Sequence, residues 1–318
     1  MKAIKALEHG GAEVLRFENT PIPEIGEGEI LVKVYATSVN HLEIKMVSQS
    51  VSKAGKSVFP LDFPWIPGFD FAGIVENAGR NTKELRVGDK VYGNSNGGSY
   101  AEYVAVSEDK AAAKPKNLTF IKAATVPHVG ETAWQAIHTH GQLKAGQKVL
   151  IHGAAGAVGA FATQFARLAG AEVYASVGGR DMEYVRKLGA KVVIDYETTD
   201  FTTVAKDMDL VIVLVGGDTQ EKSYSVLKKG GRLVSTTMPI LEDVAKEHGV
   251  TGIHMVIRQS GDDLRRISRL IESGDVTTDV QIVYALEDAG LAWKVLTHTD
   301  PELPEITHGK IVLEVEKE

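Results

Sequence analysis

The sequence predicts an α/β fold in two parts, a doubly wound parallel sheet and a compact, barrel-like β domain. Three observations carry that expectation. Up to about Val126 the chain holds short strand-like runs divided by Gly, Pro and Asn turns. Beyond it, strand and helix patterns alternate as βαβ units do. After residue 277 strand patterns return, so the β domain is expected to be discontinuous, covering 1–126 and 278–318, with 127–277 forming the parallel-sheet domain.

In the first stretch, Met1 to Phe17 lacks a sustained apolar segment and opens as a strand rather than as a signal sequence. Glu29–Ala36 alternates as EILVKVYA, which puts Ile30, Val32 and Val34 on one face of a half-buried strand. Pro21, Pro23, Gly26 and Gly28 supply turns before it, and the short polar–apolar stretch Asn40–Met46 follows. The mixed, Pro-punctuated run Lys53–Pro64 is an expected exposed loop. Ile74-Val75, Lys90-Val91-Tyr92 and Ala101–Val106 follow as strands, with a turn at Val87-Gly88-Asp89.

Helical character from Thr132 to His138 leads through Gly141 into Lys148–Gly179, the most informative stretch of the chain. Val149-Leu150-Ile151 is the continuous apolar run of a strand buried on both faces. Gly153, Gly156 and Gly159 follow in the order Gly-Ala-Ala-Gly-Ala-Val-Gly. Phe161, Phe165 and Leu168 then recur at helical spacing, Gly170 ends the helix, and Val173–Val177 is a second strand. Strand, glycine turn, helix and strand within about 30 residues is the dinucleotide-binding fingerprint of a Rossmann sheet. A pyrophosphate must approach the backbone more closely than a Cβ permits, and helix N–H groups must point at it. Gly153, Ala154, Ala155, Gly156, Ala157, Val158 and Gly159 are therefore candidate cofactor contacts.

Alternation continues through the helix Asp181–Leu188 and the strands Lys191–Ile194 and Leu210–Val215. The helix Thr219–Leu227, the strands Arg232–Thr236 and Ile253–Ile257, and the helix Asp262–Ile271 follow. Gly216-Gly217 and Gly230-Gly231 are expected at strand ends, and Val215 and Gly216 join the candidate cofactor set. The strands Val280–Ala285 and Lys310–Val315 flank the helix Glu287–Leu296.

Composition narrows the function classes. The formal net charge is −7 with no Lys/Arg block, which argues against a nucleic-acid or anionic-membrane surface. No apolar run approaches the roughly 18–20 residues of a bilayer span, so the cytoplasm is the expected compartment. The chain has no cysteine, which excludes disulfides, thiolate catalysis and every Cys-based metal site. Its ten histidines show no HxxxH spacing, and no bound metal is expected.

Further motifs carry a family resemblance. They are Val39-Asn40, Ile66-Pro67-Gly68-Phe69-Asp70-Phe71-Ala72-Gly73, Val87-Gly88-Asp89-Lys90-Val91, and Gly98-Ser99-Tyr100-Ala101-Glu102-Tyr103-Val104. Gly130-Glu131-Thr132-Ala133-Trp134 and Gly309-Lys310-Ile311-Val312-Leu313 complete the set. Over nearly its whole length the chain resembles the zinc-free quinone oxidoreductase and enone reductase branch of the medium-chain dehydrogenase/reductase superfamily. The resemblance implies a GroES-like domain built from both chain ends, a Rossmann domain between them, an active site in the cleft, and a homodimer. The apolar edge Ile253–Ile257 is a candidate for the dimer contact. Zinc-dependent relatives place Cys at about Asn40, His at Phe69 and a further Cys in the Rossmann-side loop, and carry a Cys-rich structural lobe; this chain has Asn, Phe and no cysteine. Without zinc as a Lewis acid, the expected substrate is already electrophilic: a quinone, an enone, a 2-alkenal or an enoyl thioester.

NADPH is the expected cofactor. An NAD site normally has an acid about 20 residues past the glycines, but here the second strand ends Ser176-Val177-Gly178-Gly179-Arg180. Asp181 stands where a helix N-cap belongs, and Arg180 suits a 2′-phosphate. The resemblance further implies cofactor contacts at Ser176, Tyr196, Lys310 and Thr132, and Gly178 joins them at the strand end. It also places Asn40 beside the nicotinamide. Glu43 stands where relatives carry Asp, with Lys45 two residues on and His41 replacing a common Pro. Asn40, Glu43 and Lys45 form the candidate catalytic set. Proton donors open to the chemistry are His41, His128, Lys45, Tyr92 and water, and Phe63, Trp65 and Phe69 are candidate substrate contacts. Two other functions fit the same motifs, a 2-enoyl-thioester reductase and a non-catalytic NADPH-binding redox sensor.

Overall fold

The computed structural model describes residues 1–48 and 60–318, so most of the expected loop Lys53–Pro64 lies outside the described residues. The chain divides into two compact units. One comprises Met1–His128, Gln259–Glu272 and Thr278–Glu318; the other comprises Val129–Arg258 and Ser273–Thr277.

The first unit begins with the antiparallel pair β1 (Lys2–Ala6) and β2 (Leu15–Asn19). Next come β3 (Glu29–Ser38), β4 (Asp70–Ala78), β5 (Lys90–Asn94), β6 (Tyr103–Ser107) and β7 (Ala111–Ala113). β3 pairs with β4 along one side, and Glu29–Lys33 pairs with β6 along the other. As the EILVKVYA pattern requires, Ile30, Val32 and Val34 are fully buried, packed with Phe71, Val75 and Val91. The alternating face is what lets a sheet bury one side.

The second unit holds β8 (Lys148–His152), β9 (Glu172–Val177), β10 (Val192–Asp195), β11 (Met208–Val213), β12 (Leu227–Ser235) and β13 (Thr251–His254). All pair in parallel, in the order β10-β9-β8-β11-β12-β13. Chain order reverses between β8 and β11, so the carboxyl ends of those two strands mark the switch point where ligands of such sheets bind. Val149, Leu150 and Ile151 are fully buried, which accounts for their unbroken apolar run.

Three expectations for this region are corrected. Gly230 and Gly231 are inside β12 rather than at its end: pairing jumps from Met208↔Leu227 to Leu210↔Arg232, and Gly230 takes φ +80° in the resulting bulge. The strand expected at Ile253–Ile257 is instead Thr251–His254, at the sheet edge, and Val256 beyond it is 80 % exposed. The helix Gly261–Glu272 groups with the first unit, interrupting the expected block 127–277. Its start is pressed on β7, where a Cβ on Gly261 would meet the Ala111 carbonyl oxygen at 2.4 Å. The Tyr92 hydroxyl donates to the Leu264 carbonyl at 2.8 Å, so the helix is tied to β5 as well.

The chain then completes the first unit with β14 (Val280–Ala285), the helix Ala289–Thr297 and β15 (Lys310–Glu314). β15 pairs antiparallel with Ala36–Ser38, beyond the β6 contact on β3, and parallel with β14. Among the described residues, no helix is long and apolar enough to cross a membrane.

Candidate functional site

Two groups of candidate residues take shape, one in each unit. In the parallel-sheet unit, the glycine turn leaves β8 with Gly153 at φ +72°, a conformation that disfavours a side chain. The Gly153 and Ala154 N–H groups both donate to the Ser176 carbonyl, at 3.1 and 3.3 Å, which ties the turn to β9. Gly159 is a packing glycine: a Cβ there would lie 2.2 Å from the Gly153 carbonyl oxygen. Gly156 caps the helix Ala157–Leu168, whose first-turn N–H groups have no acceptor within the helix. These N–H groups and the helix dipole suit an anion. Ala154 and Ala155 are buried beneath the turn.

A cavity of about 730 Å³ opens at these strand ends, lined by Gly153, Ser176, Tyr196, Val215 and Gly216 together. Five residues singled out from the sequence thus share one space. Gly178 borders the group, since a Cβ on it would lie 3.3 Å from the Tyr196 hydroxyl. Arg180 is exposed two residues on. Thr132 is buried in the helix Pro127–Trp134.

Sequence reasoning missed the rest of the lining, which Glu197–Phe201, Asp218, Thr219 and Lys222 supply with His152. His152 ends β8, and burial pushes its imidazole down to about 4, so it is neutral at physiological pH. Ser223 Oγ donates to the Thr219 carbonyl at 2.6 Å and therefore accepts from His152 Nε2, 3.1 Å away, which fixes the tautomer.

In the first unit Asn40, Glu43 and Lys310 meet in a buried polar network whose hub, Asp70, was not foreseen. Asp70 is fully buried at the start of β4. Its Oδ2 accepts from Ser38 Oγ at 2.5 Å, Asn40 Nδ2 at 2.8 Å and Lys310 Nζ at 3.2 Å, and its Oδ1 accepts the His128 N–H at 2.6 Å. Burial pushes the Asp70 carboxyl up, but the Lys310 ammonium and these donors outweigh it and hold the group below its ordinary range. Lys310 Nζ also donates to Asn40 Oδ1 at 2.5 Å. Both ends of the Asn40 amide are thereby committed inside the network. The advance signals for Asp70 are its place in the motif Ile66–Gly73 and a lone acid between Phe69 and Phe71.

Glu43 grips Asn40 from the other side. Its Oε1 accepts the Asn40 N–H at 2.7 Å, as a third helical residue does for its cap, and the Tyr100 hydroxyl at 2.9 Å. Its Oε2 is buried with no hydrogen-bond partner. Burial pushes the carboxyl up to about 8, so Glu43 is mainly protonated near neutrality. Lys45 is on the exposed face of the same helix, His41–Val47. Tyr92 spends its hydroxyl on Leu264 and Ser268. Burial pushes His128 down to about 4, and its ring stacks on Phe69 at 5.4 Å.

Glu43 makes a pH prediction. Its folded value near 8 exceeds its unfolded value of 4.5, so the contribution is fully present below about 4.5 and is lost progressively as pH rises to about 8. His128 and His152 act oppositely, and only below their ordinary 6.5. Between pH 6.5 and about 8.5 the unfolding temperature is expected to fall in the parent and to stay nearly level in Glu43→Gln. Parallel curves in differential scanning fluorimetry would refute this assignment.

A parallel sheet reversing between β8 and β11, with a glycine-turn cavity at its carboxyl ends, defines a dinucleotide-binding protein of the doubly wound class. Residues 26–116 match the family described as alcohol dehydrogenase GroES-like domain, and residues 188–313 the one described as zinc-binding dehydrogenase. The chain is 35% identical over 288 residues to the chloroplastic NADPH-dependent alkenal/one oxidoreductase of Arabidopsis thaliana, covering 87% of this chain and 70% of that one. Its fold superposes on the quinone oxidoreductase from Coxiella burnetii with a TM-score of 0.88 and 32% identity, covering 99% of both chains. The Escherichia coli quinone oxidoreductase, solved in complex with NADPH, gives a TM-score of 0.87 at 27% identity, covering 99% of this chain and 100% of that one. The chain belongs to the medium-chain dehydrogenase/reductase superfamily. It is an NAD(P)H-dependent oxidoreductase.

Among the described residues no three His, Cys, Asp or Glu side chains gather as metal ligands.

Proposed function

We propose that this chain reduces quinones or α,β-unsaturated carbonyls with NADPH, without zinc. The observation that carries the reading is the cavity in which Gly153, Ser176, Tyr196 and Gly216 converge beside the glycine turn. The names of its relatives, an alkenal/one oxidoreductase and quinone oxidoreductases, support the substrate class.

The residues fit the cofactor on steric grounds. Gly156 meets nothing closer than 3.4 Å where a Cβ would stand, and Gly216 nothing within 4 Å, so backbone is open to a pyrophosphate at both. The N–H groups of Ala157, Val158 and Gly159 bind that anion, and Ser176 and Tyr196 hold the ribose end. Arg180 meets the 2′-phosphate as a charge-assisted donor. When bound, the reduced nicotinamide supplies hydride to the electron-poor carbon.

In the other unit, Asp70 and Asn40 fix the Lys310 ammonium with two of its three N–H groups. Asn40 acts by holding Lys310, since its own amide is committed. Zinc independence is supported at two of the positions where zinc-dependent relatives carry ligands. Asn40 is bonded to Lys310 and Asp70, and Phe69 is an apolar ring stacked on His128. The edge strand β13 with exposed Val256 supports a homodimer, against which a single-chain mass in light scattering would count.

A panel of quinones, enones, 2-alkenals and enoyl thioesters, run with NADPH and with NADH, tests the reading. NADPH oxidation with a quinone or enone, unaffected by a chelator, is expected. Nucleotide binding without turnover across the panel would replace the reductase with a redox-sensing role.

A further inference from the structure

We propose that Glu197 is a specificity-determining residue of the cofactor cavity, accepting the hydroxyls of an unphosphorylated ribose and opposing a 2′-phosphate. The proposal rests on the reading of that cavity as the cofactor site. Gly178 and Gly179 follow β9 and bring no side chain to the place where an acid normally selects the ribose. Carboxylates reach the place from the exit of the neighbouring strand. A Cβ on Gly178 would lie 3.6 Å from Glu197 Oε1, and one on Gly179 would lie 3.9 Å from Glu197 Oε2 and 3.2 Å from Asp195 Oδ2.

The two acids have different duties. Asp195 Oδ1 accepts the Glu197 N–H at 3.0 Å and its Oδ2 accepts Thr198 Oγ1 at 3.2 Å. Its carbonyl takes the Thr199 N–H at 2.9 Å. Asp195 thus builds an Asx turn, spending both side-chain oxygens on it. That turn aims Glu197 across the glycines and into the cavity wall, beside Tyr196.

A ribose hydroxyl donates to a carboxylate, whereas a 2′-phosphate brings roughly two negative charges against it. Arg180, one residue past Gly179, acts in the opposite sense by attracting the phosphate. Competition between the two leaves NADPH with only a narrow margin over NADH. Glu197 is exposed, so solvent screening keeps its effect moderate.

The test is calorimetric titration of the full chain with adenosine 2′,5′-bisphosphate and with 5′-AMP, which needs no turnover. Glu197→Gln is expected to bind the bisphosphate about threefold to tenfold more tightly and 5′-AMP no better, with the gain shrinking as salt is added. Glu247→Gln, an exposed acid on the helix Glu242–Glu247 that does not line the cavity, changes net charge equally and should leave both affinities unchanged. A bisphosphate-to-AMP ratio that Glu197→Gln moves less than twofold, or that both variants move alike, overturns the Glu197 assignment alone. Failure of the parent to bind either nucleotide overturns the cofactor-site reading, and this proposal with it.

Discussion

Replacing Lys310 by methionine is expected to destabilise the protein by about 3–5 kcal/mol, the usual result of stranding one member of a buried ion pair. Asp70 is fully buried and Lys310 is 5 % exposed, so neither can turn to water when its partner is lost. In Lys310→Met the Asp70 carboxylate would retain the donors on Ser38, Asn40 and His128 but no compensating charge. The double variant Asp70→Asn, Lys310→Met removes both charges and is expected to recover most of the loss. Urea unfolding of the three proteins checks the pair; equal midpoints for the single and double variants would mean that charge is not what the site requires. Turnover is expected to fall in both variants, because Lys310 is the cation that the network positions.

Gly159→Ala should lower nucleotide affinity by more than tenfold and cost about 1–3 kcal/mol through overpacking. The added methyl would sit 2.2 Å from the Gly153 carbonyl and 2.6 Å from Ala154 Cα, both backbone atoms of the glycine turn. Neither can step aside without moving the turn itself. Gly156→Ala separates structure from binding, since its methyl meets only the Gly153 carbonyl at 3.4 Å. That variant is expected to keep its unfolding temperature and still lose NADPH in a fluorescence titration, because there the methyl displaces ligand instead of protein. Unchanged affinity in both variants would remove the pyrophosphate from this turn.

The parallel-sheet unit was legible where its physics is local. A strand buried on both faces must be apolar throughout, as Val149-Leu150-Ile151 is, and a close-packed turn must be glycine, as at Gly153 and Gly159. Legibility failed where the cause was distant. Nothing local marks Gly230-Gly231 as a bulge, because the bulge exists only relative to β11. The network of the first unit escaped for the same reason. Asn40, Glu43 and Lys310 could be named singly, yet they were assigned to separate catalytic and cofactor roles. Asp70, which joins Asn40 to Lys310, is 240 residues from the latter, beyond the reach of any periodicity. Glu197 carries no local signal, because the dinucleotide fingerprint places an acid at the end of β9 and Glu197 follows β10.

Because β15 completes the sheet beside β3, synthesis imposes an order on assembly. A nascent chain can lay down all six parallel strands by His254, while residues 1–128 still lack the strand that pairs with Ala36–Ser38. Until Lys310 leaves the ribosome, the side chains of Asp70 and Asn40 have no cation to close around. The parallel-sheet unit can therefore mature as a folded insert between two halves of an unfinished neighbour. Until β15 emerges the β3 edge at Ala36–Ser38 is open, and an open strand edge is a template for aggregation.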